Sequence, residues 1–148
     1  MKEQKETSSA LNDLIETLRD GQEGFKQASE AVKDPQLKSL FIEYSQQRSG
    51  FATALQSQVQ SLGNEPETSS AIGALHRGWI NLKSAVTGGD DHAILAECER
   101  GEDSAVEEYK KALDDDLPPS LYELVSRQYT DIKAAHDRIR NLRDTRKG

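Results

Sequence analysis

The sequence has one cysteine, no secretory signal and no long apolar run, and each absence narrows the class of protein. The single cysteine, Cys98, excludes an intrachain disulfide, and its place on an apolar stripe indicates a small hydrophobe rather than a redox sensor. Residues 1–14 contain no apolar segment of the kind that a signal peptide needs. No stretch approaches the ~20 apolar residues of a membrane-spanning helix. We therefore expect a cytoplasmic protein that does not bind membranes.

Basic residues, prolines and strand signals are also scarce. The 148 residues include 19 Lys and Arg against 26 Asp and Glu, a formal net charge of −7. Binding to nucleic acid needs a basic stripe, so we expect no nucleic-acid partner. The four prolines all fall between segments of helical periodicity, where they interrupt no helix. Alternation of apolar and polar residues is not sustained, which argues against strands.

Helical periodicity occupies four long segments and one short one. The main helices are predicted at about 8–33, 35–62, 90–115 and 118–145, and a short amphipathic helix at about 71–86. Asp34 is a good N-cap and Pro35 a good first helical residue, and so short a link makes the first two helices antiparallel. The pattern predicts a single all-α domain over residues 1–148, a ferritin-like four-helix bundle with a short amphipathic crossover helix between main helices two and three. An up-down-up-down bundle, with the short helix at its side, is the alternative.

Each long segment carries polar residues within its apolar stripe, near the middle of the helix. Counting along the helices from the two short links puts most of these residues at one level of the bundle, within about one turn, with Gln128 one turn away. A buried arginine needs a carboxylate partner, so we expect Arg48 to pair with Glu102. The predicted polar core layer consists of Gln22, Gln47, Arg48, Glu102, Gln128 and Asp131.

A polar layer in a four-helix bundle is the usual housing of a di-iron site, but most of the ligands are missing here. Such a site takes a Glu from each of two helices and a Glu-x-x-His from each of the other two, and the chain contains no Glu-x-x-His. Arg48 would also repel a dication, and Glu99 lies off the core stripe. We therefore expect a structural layer, with no cofactor and no catalytic residues. The alternative is an iron or zinc site with ligands drawn from Glu23, Glu43, Glu102 and His136.

Two glycines, Gly21 and Gly24, interrupt the first helix. Each costs about 1 kcal/mol relative to alanine in a helix interior, so their presence needs a reason. Close approach of a neighbouring helix is one explanation. Room for a ligand, or for a bulky partner such as Trp79, is the other.

Short motifs spread over about residues 9–144 carry a resemblance to known proteins. They are Leu11-Asn12-Asp13-Leu14-Ile15, Asp20-Gly21 with Gly24-Phe25, Gln47-Arg48 with Phe51, Ala74-Leu75-His76-Arg77-Gly78-Trp79, Gly88-Gly89-Asp90-Asp91, Glu97-Cys98-Glu99-Arg100-Gly101-Glu102 and Ala134-Ala135-His136-Asp137. In combination they resemble a bacterial family of unknown function whose members are ferritin-like four-helix bundles of this length. The resemblance implies a ferritin-like fold in a cytoplasmic bacterial protein, related to stress-associated proteins, and it implies no reaction.

Three functions are compatible with these features. The first is a non-catalytic, stress-associated bundle that acts through binding or assembly, with a second copy (a homodimer) or another protein as its partner. The second is a divergent metal-binding protein or oxidoreductase of the ferritin-like class. The third is a small-molecule binder that uses space beside Gly21 and Gly24. The first predicts that Glu102→Gln changes stability but not metal content, whereas the second predicts that Glu102→Ala abolishes metal binding.

Overall fold

The computed structural model describes residues 4–63, Trp79 and residues 90–145, and this part of the chain forms four α-helices and no strand. The helices are α1 (Gln4–Ala31), α2 (Pro35–Ser61), α3 (Asp91–Asp114) and α4 (Pro119–Thr145). The all-α prediction is therefore confirmed for these residues. The predicted crossover helix at about 71–86 lies outside the described residues, apart from Trp79. None of the helices described has the length and apolar character needed to cross a membrane.

The helix ends follow local signals, with one exception. The Asp34 side chain caps α2 by accepting from the backbone N–H of Gln36 at 2.8 Å, and Asp90 caps α3 by accepting from that of Ala93 at 2.9 Å. The exception is α1, which begins at Gln4 rather than near residue 8. Thr7 lies within its first turns with its side chain buried, so it does not serve as a cap.

Short links make α1 and α2 one antiparallel pair and α3 and α4 another. The Asp91 carboxylate accepts from the backbone N–H groups of Lys33 at 2.8 Å and Asp34 at 3.0 Å, which places the start of α3 beside the α1–α2 link. At the other end of the bundle, Leu14 of α1 lies beside Ala112 of α3. It follows that α2 and α3 run in the same direction, and that the end of α2 and the start of α3 lie at opposite ends of the bundle.

The core consists of two apolar clusters with a polar level between them. The upper cluster lies near the α1–α2 link and the lower one near the α3–α4 link. On α1 the lower cluster ends at Leu18 and the upper begins at Phe25, and on α3 the upper ends at Cys98 and the lower begins at Ala105. The interval between the clusters holds Arg48 of α2 and Glu102 of α3, both of them buried. The fold thus surrounds one charged pair with apolar side chains above and below.

Candidate functional site

The polar level is built on a buried ion pair between α2 and α3. Arg48 is 1 % exposed and Glu102 is 0 % exposed. The guanidinium meets the carboxylate with two parallel hydrogen bonds, Nη1 to Oε1 and Nη2 to Oε2, the second at 2.7 Å. Its Nε donates to Oε1 of Gln47 at 3.2 Å. Both carboxylate oxygens are therefore engaged, and this bidentate geometry is the strong form of an arginine–carboxylate pair.

Side chains and a glycine of α1 shape the space around the guanidinium. The Cζ of Arg48 lies 5.2 Å from the centroid of the Phe25 ring, within the range of a cation–π contact. A Cβ added at Gly21 would lie 3.5 Å from Nη1 of Arg48, an ordinary van der Waals distance. Burial by itself lowers the pKa of Arg48, but the charge and hydrogen bonds of Glu102 outweigh it and the pKa is raised. The cation is thus permanent, and it neutralises the carboxylate in the core.

The other predicted members of the polar core layer take different places. Gln47 joins the pair through Arg48, as described above, whereas Gln22 is half-buried and accepts from Nη1 of Arg19 at 2.8 Å. Gln128 is buried lower in the bundle, where its Oε1 accepts from the Tyr109 hydroxyl at 2.7 Å. Asp131 is exposed, so its assignment to the layer is wrong. The reason is rotational: the neighbouring Ile132 takes the inward position on α4 and is fully buried.

The predicted metal ligands are not brought together. Glu23 and Glu43 are exposed on α1 and α2, and Glu102 is held by Arg48. His136 is buried, but it faces Glu99 and Asp103 of α3. Within the part of the chain that the structure describes, the group with metal-ligand spacing is Glu99, Asp103 and His136, whose ligand atoms all lie within 4.8 Å of one another. The predicted set thus contributes only His136 to this group.

Glu99 and Asp103 were not predicted as site residues. Glu99 was expected off the core stripe, but it is only 8 % exposed because the side of α3 that carries it packs against α4. One signal in the sequence pointed to the pair: residues four apart share one helix face, so Glu99 and Asp103 present two carboxylates together. Nothing local indicated that His136, on a different helix, lies opposite them.

A second feature that sequence reasoning found only in part is a slot for Trp79 between α1 and α3. Trp79 is 3 % exposed and meets the Phe25 ring edge-on, with centroids 5.2 Å apart. A Cβ added at Gly24 would lie 2.5 Å from the indole, and one added at Gly101 would lie 2.1 Å from it. Gly24 therefore makes room for a bulky partner, which was one of the two predicted explanations, and Gly101 on α3 completes the slot.

Comparison with known proteins gives a family but no activity. The model of a family described as a domain of unknown function (DUF2383) matches residues 6–115, which include most of α1 and all of α2 and α3. The matched span contains Arg48, Glu102, Glu99 and Asp103, and it ends before His136. No curated protein matches the sequence.

Proposed function

Because this chain belongs to the family described as a domain of unknown function (DUF2383), we propose a function from its own residues. It is a ferritin-like bundle that acts without catalysis, through binding or assembly, and its Arg48–Glu102 pair stands where a di-iron centre would lie. One observation supports the ferritin-like assignment: α2 and α3 are parallel, so the end of α2 and the start of α3 lie at opposite ends of the bundle. Ferritin-like folds have one such long connection.

The observation that carries the proposal is the complete engagement of Glu102. Both of its oxygens accept hydrogen bonds from Arg48, and the pair is closed off from solvent. A metal ion on Glu102 would have to displace the guanidinium and leave a buried cation without a partner, which costs about 3–5 kcal/mol. The arginine thus supplies the positive charge that a metal supplies in a carboxylate site, and it supplies no redox chemistry.

Metal analysis tests this part of the proposal. The purified wild type, Arg48→Ala and Glu102→Ala are incubated with ferrous iron under air, desalted and analysed for iron. We expect no iron that depends on Glu102, no acceleration of ferrous oxidation over buffer, and a lower unfolding temperature in both variants. About one or two irons per chain in the wild type, lost in Glu102→Ala, would contradict the proposal and restore a storage or oxidoreductase role.

The partner is part of the same proposal. We expect either a second copy of the chain or another protein, and size-exclusion chromatography with light scattering separates the two. The stress association that the resemblance implies predicts that the protein accumulates under oxidant or in stationary phase, which immunoblotting measures. The metal-binding alternative is favoured by a different observation, the group formed by Glu99, Asp103 and His136, and it concerns a different face of α3.

A further inference from the structure

The groove between α3 and α4 places two carboxylates and an imidazole together outside the apolar core. Glu99 and Asp103 are one turn apart on α3, and His136 faces them from α4. Glu99 and His136 are largely buried, whereas the Asp103 side chain is 61 % exposed, so the group is open to solvent on one side. Glu102 is their close neighbour in sequence, but it points into the core and belongs to the pair with Arg48.

His136 has a carboxylate on each of its ring nitrogens. Nδ1 lies 3.0 Å from Oδ1 of Asp137, and Nε2 lies 2.5 Å from Oδ1 of Asp103. A neutral imidazole has one N–H and one bare lone pair. It can donate to only one of the two carboxylates, and the other then faces a lone pair. A metal ion on Nε2 would let Nδ1–H donate to Asp137 while Nε2 and the Asp103 carboxylate both bind the ion.

Asp137 is held in place against Nδ1 of His136. Lys133 donates to both oxygens of Asp137, at 2.8 and 3.0 Å. Without a metal ion, the 2.5 Å contact between Nε2 and Asp103 is a hydrogen bond that Nε2–H donates. A metal ion on Nε2 would replace that proton, and Nδ1–H would then donate to Asp137. A carboxylate that orients a histidine from behind in this way is a regular second partner in metal sites.

We propose that Glu99, Asp103 and His136 bind one divalent transition-metal ion of the zinc type, with Asp137 as a positioning residue. One imidazole nitrogen and two carboxylate oxygens are a ligand set for zinc with a fourth position left for water. Calcium and magnesium, in contrast, prefer oxygen ligands alone. Zinc bonds of about 2.0–2.2 Å need ligand atoms roughly 3.3–3.6 Å apart. The three ligand atoms lie within 4.8 Å of one another, and Nε2 of His136 and Oδ1 of Asp103, now 2.5 Å apart, would have to separate by about 1 Å when the ion enters.

Arg143 would compete with a bound metal ion for Glu99. Its Nη1 donates to Oε2 of Glu99, while its Nε and Nη2 donate to Oδ1 of Asp144 at 3.1 and 2.8 Å. The guanidinium thus neutralises one of the proposed ligands. An incoming metal ion takes over that role, and Arg143 keeps its partner Asp144. Removal of Arg143 should therefore tighten metal binding, which is the opposite of what loss of a stabilising ion pair alone would do.

The test is calorimetric titration of untagged, chelator-treated protein with Zn2+, supported by the visible spectrum of the Co2+ form. We expect one ion per chain, lost in His136→Gln and in Asp103→Asn. Asp137→Asn should bind about tenfold more weakly, as loss of a second partner usually does, and Arg143→Gln should bind more tightly than wild type. Two matched controls, His92→Gln at the start of α3 and Glu102→Gln in the core, should bind like wild type.

Two results would overturn the proposal: no zinc on the wild-type protein, or unchanged binding by His136→Gln. Circular dichroism of each variant checks that the bundle is folded, and the gain expected for Arg143→Gln cannot arise from unfolding. The outcome is separate from that of the proposed function. If Glu102→Gln loses the metal and His136→Gln keeps it, both the zinc site and the proposed function are contradicted. If only His136→Gln loses the metal, the zinc site is supported and the structural role proposed for the Arg48–Glu102 pair is unaffected.

Discussion

The buried Arg48–Glu102 pair leads to a prediction about the free energy of unfolding. Replacing one partner alone should destabilise the protein strongly, whereas replacing both by apolar residues should change its stability little. In Arg48→Met, Glu102 stays in the core without its two hydrogen bonds, and in Glu102→Leu the guanidinium stays without its carboxylate. Either change should lower the free energy of unfolding by about 3–5 kcal/mol. For a chain of this size each kcal/mol corresponds to about 2–4 °C, so Tm should fall by roughly 6–20 °C.

The double variant, Arg48→Met with Glu102→Leu, should recover most of this loss. Replacing a buried ion pair by apolar side chains of similar volume is often neutral or stabilising, so we expect a stability within about 1 kcal/mol of wild type. The coupling energy between the two sites should then be several kcal/mol, above the range of about 0.5–3 kcal/mol found for most neighbouring residues.

Urea denaturation followed by far-UV circular dichroism measures the free energy of unfolding of the wild type, the two single variants and the double variant. Arg127 and Glu123 provide a matched control, because they form a pair on α4 whose side chains are 72 and 73 % exposed, with N and O 4.0 Å apart. Removing either of them should cost less than about 1 kcal/mol. The reasoning about the core pair would be refuted by single variants as mild as this control, or by a double variant whose loss equals the sum of the two singles.

Three further predictions concern the packing and the buried titratable groups. Gly101→Ala should lower the free energy of unfolding by about 1–3 kcal/mol, because the added methyl group would overlap Trp79. Gly50→Ala, which has open space around it, should raise it by up to about 1 kcal/mol. Thermal melts of both variants test the difference. Burial first, and then nearby carboxylates, raises the pKa of Cys98, so its thiol should resist a disulfide reagent at pH 8 until urea unfolds the protein, and rapid native labelling would contradict this. Burial also raises the pKa of Tyr109 above its ordinary value of 10.0. Its contribution to stability should therefore be constant below about pH 10 and fall as the pH rises further, when the unfolded chain ionises first; Tyr109→Phe should remove that part of the alkaline slope in urea titrations.

The helices themselves could be predicted from the sequence because their signals are local. Periodicity of 3.6 residues marks an inward face, and an aspartate followed by proline or by the first helical turn marks a beginning. The position of the main helices agrees with these signals to within a few residues, except at the start of α1, where Thr7 looks like a cap but lies inside the helix. Short links also determine which helices are antiparallel neighbours, because the chain has no length to go elsewhere.

The pairing of Arg48 with Glu102 could be deduced for a related reason. A charge on an inward face must meet an opposite charge, and counting along rigid helices of constant rise limits the choice to a few residues. The same counting failed for Asp131. An error of one residue in register turns a side chain by about 100° on a helix, which is enough to move a carboxylate from the core to the solvent.

The tertiary structure alone decided the two features that depend on contacts between distant segments. In the sequence, Gly101 is only a glycine that destabilises the interior of α3. Its role becomes clear from the structure, where the Trp79 indole lies against it. His136 carries no local sign that Glu99 and Asp103 are its neighbours, because that encounter depends on the rotation of α4 against α3, which many small packing contacts set together. The sequence by itself determined where the helices lie and that the core must contain a compensated charge. Which side chains meet in the outer groove was decided only by packing, because helix rotation is a collective property that no single segment of the chain encodes.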